Sequence, residues 1–302
     1  DIIAKVKDAT EKIARGTGVR GLINIQFAYV SENLYVIEAN PRASRTVPFV
    51  SKATGVQMAK AAVLIGLGKS IAELKAEGYL PQNMDGASLP EETAIAVKAA
   101  VLPFARFRTP EGVVVDSLLS PEMRSTGEVM GLDKHYDTAF AKAQAGAGSP
   151  LPTSGKVFIS VANHDKRNVI IYAKMLESLG FEIVSTGGTA EILRRNGLNS
   201  VLVASKFAEA NGDHSIVDMV RNGDIDLILN TPAGGAARSD GYEIRAAAVS
   251  VGCPVMTTIS EFAAAVQAIN ALREHSWDIM SLQEHGVQLA AAVDARSEGG
   301  EA

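Results

Sequence analysis

Lys156-Val-Phe-Ile-Ser-Val161, then Lys166-Arg-Asn-Val-Ile-Ile-Tyr-Ala-Lys-Met-Leu-Glu-Ser-Leu-Gly180, then Phe181-Glu-Ile-Val-Ser-Thr-Gly-Gly-Thr189 decide the fold of this chain. The first run is apolar through Val157–Ile159, as a strand buried on both faces must be. The second places Val169, Ala173, Leu176 and Leu179 at helical spacing and ends on Gly180, a helix C-cap. The third is again strand-like. Further strand runs at Val201–Ala204, Ile225–Leu229 and Pro254–Met256 continue the alternation with helical patterns. Strands alternating with helices predict an α/β fold, a doubly wound parallel sheet covered by helices on both faces. Such sheets take ligands at the carboxyl ends of their strands.

Working toward the N-terminus, residues 146–155 read Gly-Ala-Gly-Ser-Pro-Leu-Pro-Thr-Ser-Gly. Small residues and two prolines interrupt both periodicities, which predicts a linker with a domain boundary near Ser149. A short helical pattern, Thr138–Ala145, precedes it. The first half is less regular: a helix over about 2–14, strand-like runs at Gly21–Val30 and Leu34–Asn40, and helices near Val56–Leu67 and Ser70–Ala76. No internal repeat occurs at solenoid spacing.

Both strand-like runs alternate, and alternation fixes their pairing. A three-residue loop Ser31-Glu32-Asn33 gives pairs whose numbers sum to 64. That register sets Ile25, Phe27 and Tyr29 beside Ala39, Ile37 and Tyr35 on an apolar face. On the other face it sets Gln26 opposite Glu38 and Asn24 opposite Asn40, with Arg42 and Arg45 following. Amide and carboxylate oxygens of this kind suit Mg²⁺, which takes one or two carboxylates and completes its shell with water and phosphates. Neighbouring arginines can grip phosphate or carboxylate oxygens with two nitrogens. The alternative is a solvated hairpin face with an Arg–Glu pair.

The second candidate site is Ser185-Thr186-Gly187-Gly188-Thr189, where a strand gives way to a helical pattern. Glycines let backbone N–H groups approach a phosphate, and the helix N-terminus favours the anion. A tight turn with a threonine N-cap is the alternative. Lys166, Lys206, Asn230 and Thr231 follow other strands and reach the same rim of the predicted sheet.

Composition excludes several classes. The 302 residues are 47% apolar and 21% charged with a net charge of −5, an ordinary globular balance that argues against general disorder. No basic stripe is present, which excludes nucleic acid as the expected partner. The longest apolar stretch, Ala59–Leu67, is broken by Lys60 and Gly66 and is too short for a bilayer, so no membrane span is expected. No secretion signal is visible, and Cys253 is the single cysteine, which fits a cytoplasmic location. The five histidines show no zinc spacing. Cys253 reads as packing, His164 as exposed at a helix start, and the residues from Ala290 onward as a frayed tail.

Gly21-Leu-Ile-Asn-Ile-Gln-Phe-Ala28 with Ile37-Glu-Ala-Asn-Pro-Arg-Ala-Ser-Arg-Thr-Val-Pro-Phe-Val-Ser-Lys-Ala-Thr-Gly55 closely resembles the end of the second ATP-grasp unit of carbamoyl-phosphate synthase large subunits. Val101-Leu-Pro-Phe104 and Ser120-Pro-Glu-Met-Arg-Ser-Thr-Gly-Glu-Val-Met-Gly131 look like the same family. The second half looks like the methylglyoxal synthase-like domain that ends those subunits. The resemblance implies residues 1–149 as the C-terminal part of the carbamoyl-phosphate-forming ATP-grasp domain and 150–302 as an allosteric domain. It implies a ligase that phosphorylates carbamate with ATP, for arginine and pyrimidine biosynthesis, with ammonia from a glutaminase small subunit. Gln26, Glu38 and Asn40 match the family's Mg²⁺ or Mn²⁺ positions, the first two also holding ATP through the metal, and Arg42 and Arg45 match catalytic arginines. Ser160, Lys166, Thr186, Thr189, Lys206, Asn230 and Thr231 match positions that bind a UMP-like effector. Pro232 stands where UMP-binding members often carry a threonine.

Thr257 matches a threonine of an ornithine site, but Ala99 replaces the glutamate used there, so ornithine activation is expected to be weak or absent. The resemblance also implies an oligomer for the intact enzyme. The first residue is Asp1 rather than Met, and the expectation is a portion of a longer subunit, inactive alone. A free-standing nucleotide-binding regulator is the alternative. Methylglyoxal synthase is a further one, disfavoured because Arg238-Ser239-Asp240 replaces that enzyme's Pro-His-Asp element, which leaves Asp213 as a helix N-cap rather than a base.

Overall fold

A computed structural model describes residues 2–82, 93–106, 116–119, 122–123, 125–205, 215–232, 237–274 and 277–299. They form two compact units, one built from Asp1–Ala94 with Ile279–Ala302 and the other from Ile95–Asp278. Lys206, Asp213 and His214 lie outside the described residues.

The first unit contains helix α1 (Ile2–Thr17), a hairpin of β1 (Asn24–Val30) and β2 (Asn33–Asn40), and helices α2 (Thr46–Thr54), α3 (Met58–Gly66) and α4 (Ile71–Ala76). Pro48 sits in the first turn of α2, where a missing N–H costs no intrahelical bond. Ser70 caps α4, its hydroxyl accepting from Glu73 N while Glu73 reaches back to Ser70 N. A C-terminal helix, α11 (Leu282–Gly299), returns to this unit and places His285 Nε2 3.3 Å from the Ala53 carbonyl. The backbone beyond Ala290 is therefore helical to Gly299, not frayed.

The hairpin departs from the expected loop. Val30 pairs Asn33 and Tyr29 pairs Leu34, so the turn has two residues, Ser31 and Glu32, both left-handed at φ 49° and 65°. Two left-handed central residues make the turn type whose twist matches a hairpin. The register then shifts between Gln26 and Phe27, where Ile37 is inserted as a bulge. Phe27 consequently pairs Val36 rather than Ile37. Beyond the bulge the expected pairs appear: Gln26 with Glu38, Ile25 with Ala39, Asn24 with Asn40.

The second unit opens with antiparallel strands β3 (Ile95–Val101) and β4 (Gly127–Asp133), followed by helix α5 (Tyr136–Gly146). The connection from α5 carries Leu151 into the core at 8% exposure. The remainder is the parallel sheet. Strands β5 (Lys156–Ser160), β6 (Glu182–Ser185), β7 (Leu202–Val203), β8 (Leu227–Asn230) and β9 (Val255–Met256) lie in the order β7-β6-β5-β8-β9, all parallel. Intervening helices are α6 (Lys166–Ser178), α7 (Gly187–Arg195), α8 (Ile216–Arg221), α9 (Ala237–Val251) and α10 (Ile259–Glu274). Helix α8 is capped by Ser215, whose hydroxyl accepts from Asp218 N, and not by Asp213.

Strand side chains alternate, and each set has its own core. Val157, Ile159, Ile183, Leu227 and Leu229 pack with Val169, Leu176, Leu193 and Phe262 on one face. Phe158, Val184 and Ile228 pack with Ile216, Val220, Ile244 and Ala248 on the other. The sheet is thus doubly wound, as the alternation predicts. Burial of this much apolar surface, at about 25 cal/mol per Å², is the main force holding it. No helix among the described residues is long and apolar enough to cross a membrane.

Two substitutions test local features. A left-handed non-glycine residue costs about 1 kcal/mol, so Glu32→Gly should raise stability by about 0.5–1 kcal/mol in denaturant melts; no gain would contradict the turn. The second concerns Asp133, whose Oδ2 lies 2.7 Å from Lys142 Nζ with both side chains under one-fifth exposed. Burial pushes the Asp133 carboxyl up, but the Lys142 ammonium and the His135 and Lys134 N–H groups outweigh it and hold it below the usual carboxylate value. A carboxyl depressed in the folded state stabilises above its unfolded pKa, and that contribution fades as pH falls through the folded one. Asp133→Asn should therefore cost about 1 kcal/mol at pH 7, a difference that closes below about pH 4.

Candidate functional site: a polar hairpin face and a sheet rim

The bulge at Ile37 decides what the hairpin presents. With a two-residue turn and no insertion, Gln26 would oppose Ile37, and Glu38 would join the face of Ile25. One extra residue restores parity and sets Glu38 opposite Gln26, with Asn40 next on the same face. Asn40 Nδ2 donates to Glu38 Oε1 at 3.1 Å, which turns the Asn40 carbonyl oxygen away and leaves Glu38 Oε2 unused by that bond. Glu38 and Gln26 are exposed and Asn40 is half-buried. The donor set is all oxygen with one carboxylate, which fits a hard divalent ion that keeps water and phosphate ligands.

Arg42 N donates to Asn40 O at 2.8 Å, a tight turn that carries the chain off the strand. The Arg42 guanidinium lies exposed and donates to Ala43 O at 3.3 Å. Arg45 occupies the residue before α2 in helical geometry. Both arginines thus follow the polar face within one short connection. Among the described residues, no three His, Cys, Asp or Glu side chains cluster as a metal site, so any ion here depends on the amides.

The second site lies along the carboxyl ends of β5, β6 and β8. The chain order reverses between β5 and β8, and such a switch point opens a crevice. Register places Ser160 opposite Asn230, and Ile159 opposite Ser185 just before Thr186. The hydroxyls of Ser160 and Thr186 come within 3.3 Å of each other. Thr186 stands at the start of α7 without using its side chain as a cap, so the simple capping alternative does not describe it. Thr189 Oγ1 accepts from Val161 N at 3.5 Å, and Thr231 Oγ1 from Ala162 N at 2.9 Å. These two bonds tie the loop after β5 to both neighbours.

Lys166 Nζ hangs over Gly188: a β-carbon there would stand 3.2 Å from the ammonium. Glycine at 188 thus lets the cation sit against the first turn of α7, where backbone N–H groups already favour an anion. Six of the seven predicted effector residues meet at this rim; Lys206 lies outside the described residues. The rim opens beside a cavity of about 770 Å³ lined by His164, Arg167, Tyr172, Thr231, Pro232 and Thr257 among others. The structure therefore brings Thr231, matched to the nucleotide positions, and Thr257, matched to the ornithine position, to one cavity.

Sequence reasoning missed the side chain beneath Asn230. Arg245, on α9 and fully buried, donates from Nη1 to Asn230 Oδ1 at 2.8 Å. It also grips Asp116 with Nε at 2.7 Å and Nη2 at 2.8 Å. A lone arginine in the run Ile244-Arg-Ala-Ala-Ala248 was the available signal.

The other candidates are quiet. The Cys253 thiol is pushed up to about 12 by burial and by Asp226, so almost no thiolate exists near neutrality. His164 is exposed, 3.4 Å from Asp165, just ahead of α6. Thr257 N donates to Glu261, whose carboxyl burial pushes up. Ala99 lies on β3 opposite Val129.

Comparison with known proteins gives both units a relationship. Residues 2–74 match the family described as carbamoyl-phosphate synthase L chain, ATP binding domain, and residues 168–257 match the MGS-like domain family. The chain is 69% identical over 287 residues to the carbamoyl phosphate synthase large chain of Kocuria rhizophila, covering 94% of this chain and 26% of that protein. It is 63% identical to that of Paenarthrobacter aurescens over 298 residues, covering 98% and 27%. With that of Streptomyces coelicolor the figures are 55% over 294 residues, 97% and 27%. The chain spans about a quarter of the length of the curated relatives it matches. Two family matches in this order, with high identity running through both, place the chain in the carbamoyl phosphate synthase large-chain family.

Proposed function

We propose that this chain is the part of a glutamine-dependent carbamoyl phosphate synthase large chain that joins residues of the carbamate-phosphorylating ATP site to an effector-binding domain. The functional division runs near Ser149, with 1–149 belonging to the ATP-grasp domain and 150–302 to the regulatory domain. The single observation that carries the reading is the bulge-corrected hairpin, which aligns Gln26, Glu38 and Asn40 on one face just ahead of Arg42 and Arg45.

Gln26, Glu38 and Asn40 would hold Mg²⁺ or Mn²⁺, and the ion, when bound, would neutralise nucleotide phosphates. Arg42 and Arg45 orient phosphate or carbamate oxygens. Phosphoryl transfer asks mainly for positioning and charge neutralisation, so the absence of a histidine from this set is no obstacle. The whole enzyme draws ammonia from a glutaminase small subunit, works as an oligomer in the cytoplasm, and serves arginine and pyrimidine synthesis. At the rim, Ser160, Lys166, Thr186, Thr189, Asn230 and Thr231 bind a UMP-like nucleotide, with Lys206 as a further cation.

Three measurements test this. In the whole large chain, Glu38→Gln should lower carbamate-dependent ADP formation by about 10- to 100-fold, whereas unchanged turnover would remove Glu38 from the site. The 302 residues alone should release no ADP from ATP and carbamate; measurable release would show that they suffice. Calorimetric titration of UMP into this chain should give saturable binding, weakened about 10- to 100-fold in Lys166→Ala, while ornithine gives none at micromolar concentration. Equal UMP affinity in Lys166→Ala would move the effector away from the rim.

A further inference from the structure

Asn230 ends β8 at the rim with 7% of its surface exposed, and an asparagine amide can turn either its oxygen or its nitrogen to a ligand. Arg245 removes that choice. A guanidinium carries only donors, so the Asn230 atom 2.8 Å from Arg245 Nη1 must be the carbonyl oxygen. The same guanidinium is itself held in a fixed plane by two bonds to the carboxylate of Asp116.

Helix α9 is built around this contact. Helical side chains lean toward the N-terminus and lie over the residue one turn earlier. For Arg245 that residue is Gly241, where an added β-carbon would fall 2.2 Å from Arg245 Nη1 and 2.4 Å from Asn230 Oδ1. A side chain at 241 would force Arg245 or Asn230 to shift. Arginine, glycine and asparagine are therefore one device.

We infer that Arg245 is a positioning residue that locks the Asn230 amide with its N–H groups, not its carbonyl, presented to the rim, so that the site selects an oxygen acceptor such as a phosphate or base carbonyl oxygen. This rests on reading the rim as a nucleotide site and adds what orients it. It also ties the ligand to the 116–119 segment through Asp116, which lies 129 residues from Arg245 in sequence.

The test is UMP titration by calorimetry into the full chain, with a thermal melt of each variant. Asn230→Asp keeps an oxygen for Arg245 and should melt at or above the wild-type temperature, yet it replaces the outward donor by a carboxylate. UMP affinity should fall about tenfold or more. Arg245→Lys keeps the charge but cannot grip Asp116 and Asn230 together, and UMP affinity should fall about fivefold; a role of charge alone predicts full rescue. Wild-type affinity in Asn230→Asp overturns the inference, as does wild-type affinity in Arg245→Lys. If Arg245→Lys fails to fold, Asp116→Asn takes its place with the same expectation and the same overturning result. Absence of UMP binding by the wild-type chain overturns the nucleotide reading and this inference with it. Loss in Lys166→Ala without loss in the 230 and 245 variants overturns the inference alone.

Discussion

Everything at the rim depends on the parallel ladder that joins β5 to β6 and β8. The hydrogen-bond register allows no slippage, because each of these strands is buried on both faces and a shift of one residue would exchange the two cores. At the carboxyl ends of these strands the apolar run gives way to a polar residue: Ser160 on β5, Ser185 on β6, Asn230 on β8. Ser185 is sealed, its hydroxyl donating to Ile159 O at 2.6 Å. Ser160 instead meets Thr186, and Asn230 meets Arg245. Polarity begins where the ladder ends, with side chains that bond to one another rather than within the ladder.

The hairpin in the other unit solves a different problem of parity. Strand side chains repeat every two residues, and a two-residue turn of left-handed Ser31 and Glu32 sets a register that would send Glu38 to the apolar face. The inserted Ile37 absorbs the mismatch. The turn that gives the hairpin its favoured twist and the face that carries its oxygens are thereby made compatible by one residue. Ile37 itself is 59% exposed, so its place in the chain reflects counting rather than packing.

Much of this was legible in the sequence, and the failures have physical causes. The parallel strands could be read because buried strands need unbroken apolar runs and their helices end on glycines such as Gly180. The polar hairpin pairs could be read from alternation, but the route to them could not. Left-handed Ser and Glu are uncommon, and a bulge leaves no local mark. Helix α2 went unread: its nine residues are too few for a clear period, although Pro48 in the first turn breaks no helical bond. Strands β3 and β4 pair across residues 102–126, a separation over which periodicity carries no information. Arg245 escaped for the same reason: its partners are remote in the chain.

That last case bears on why a charged side chain stands in the core at all. A buried arginine–carboxylate pair is weak evidence for stability, since desolvation of the two charges offsets most of their attraction. Well-packed apolar residues of similar volume would hold α9 against the sheet about as well. What apolar residues cannot do is distinguish the two ends of an amide. Nε and Nη2 of the guanidinium hold Asp116 and Nη1 holds Asn230. Their fixed fork converts a position in the core into an orientation at the rim. Because Asp116 keeps 30% of its side chain exposed while Arg245 is fully buried, the fork also joins residue 116 to the end of β8 through one guanidinium.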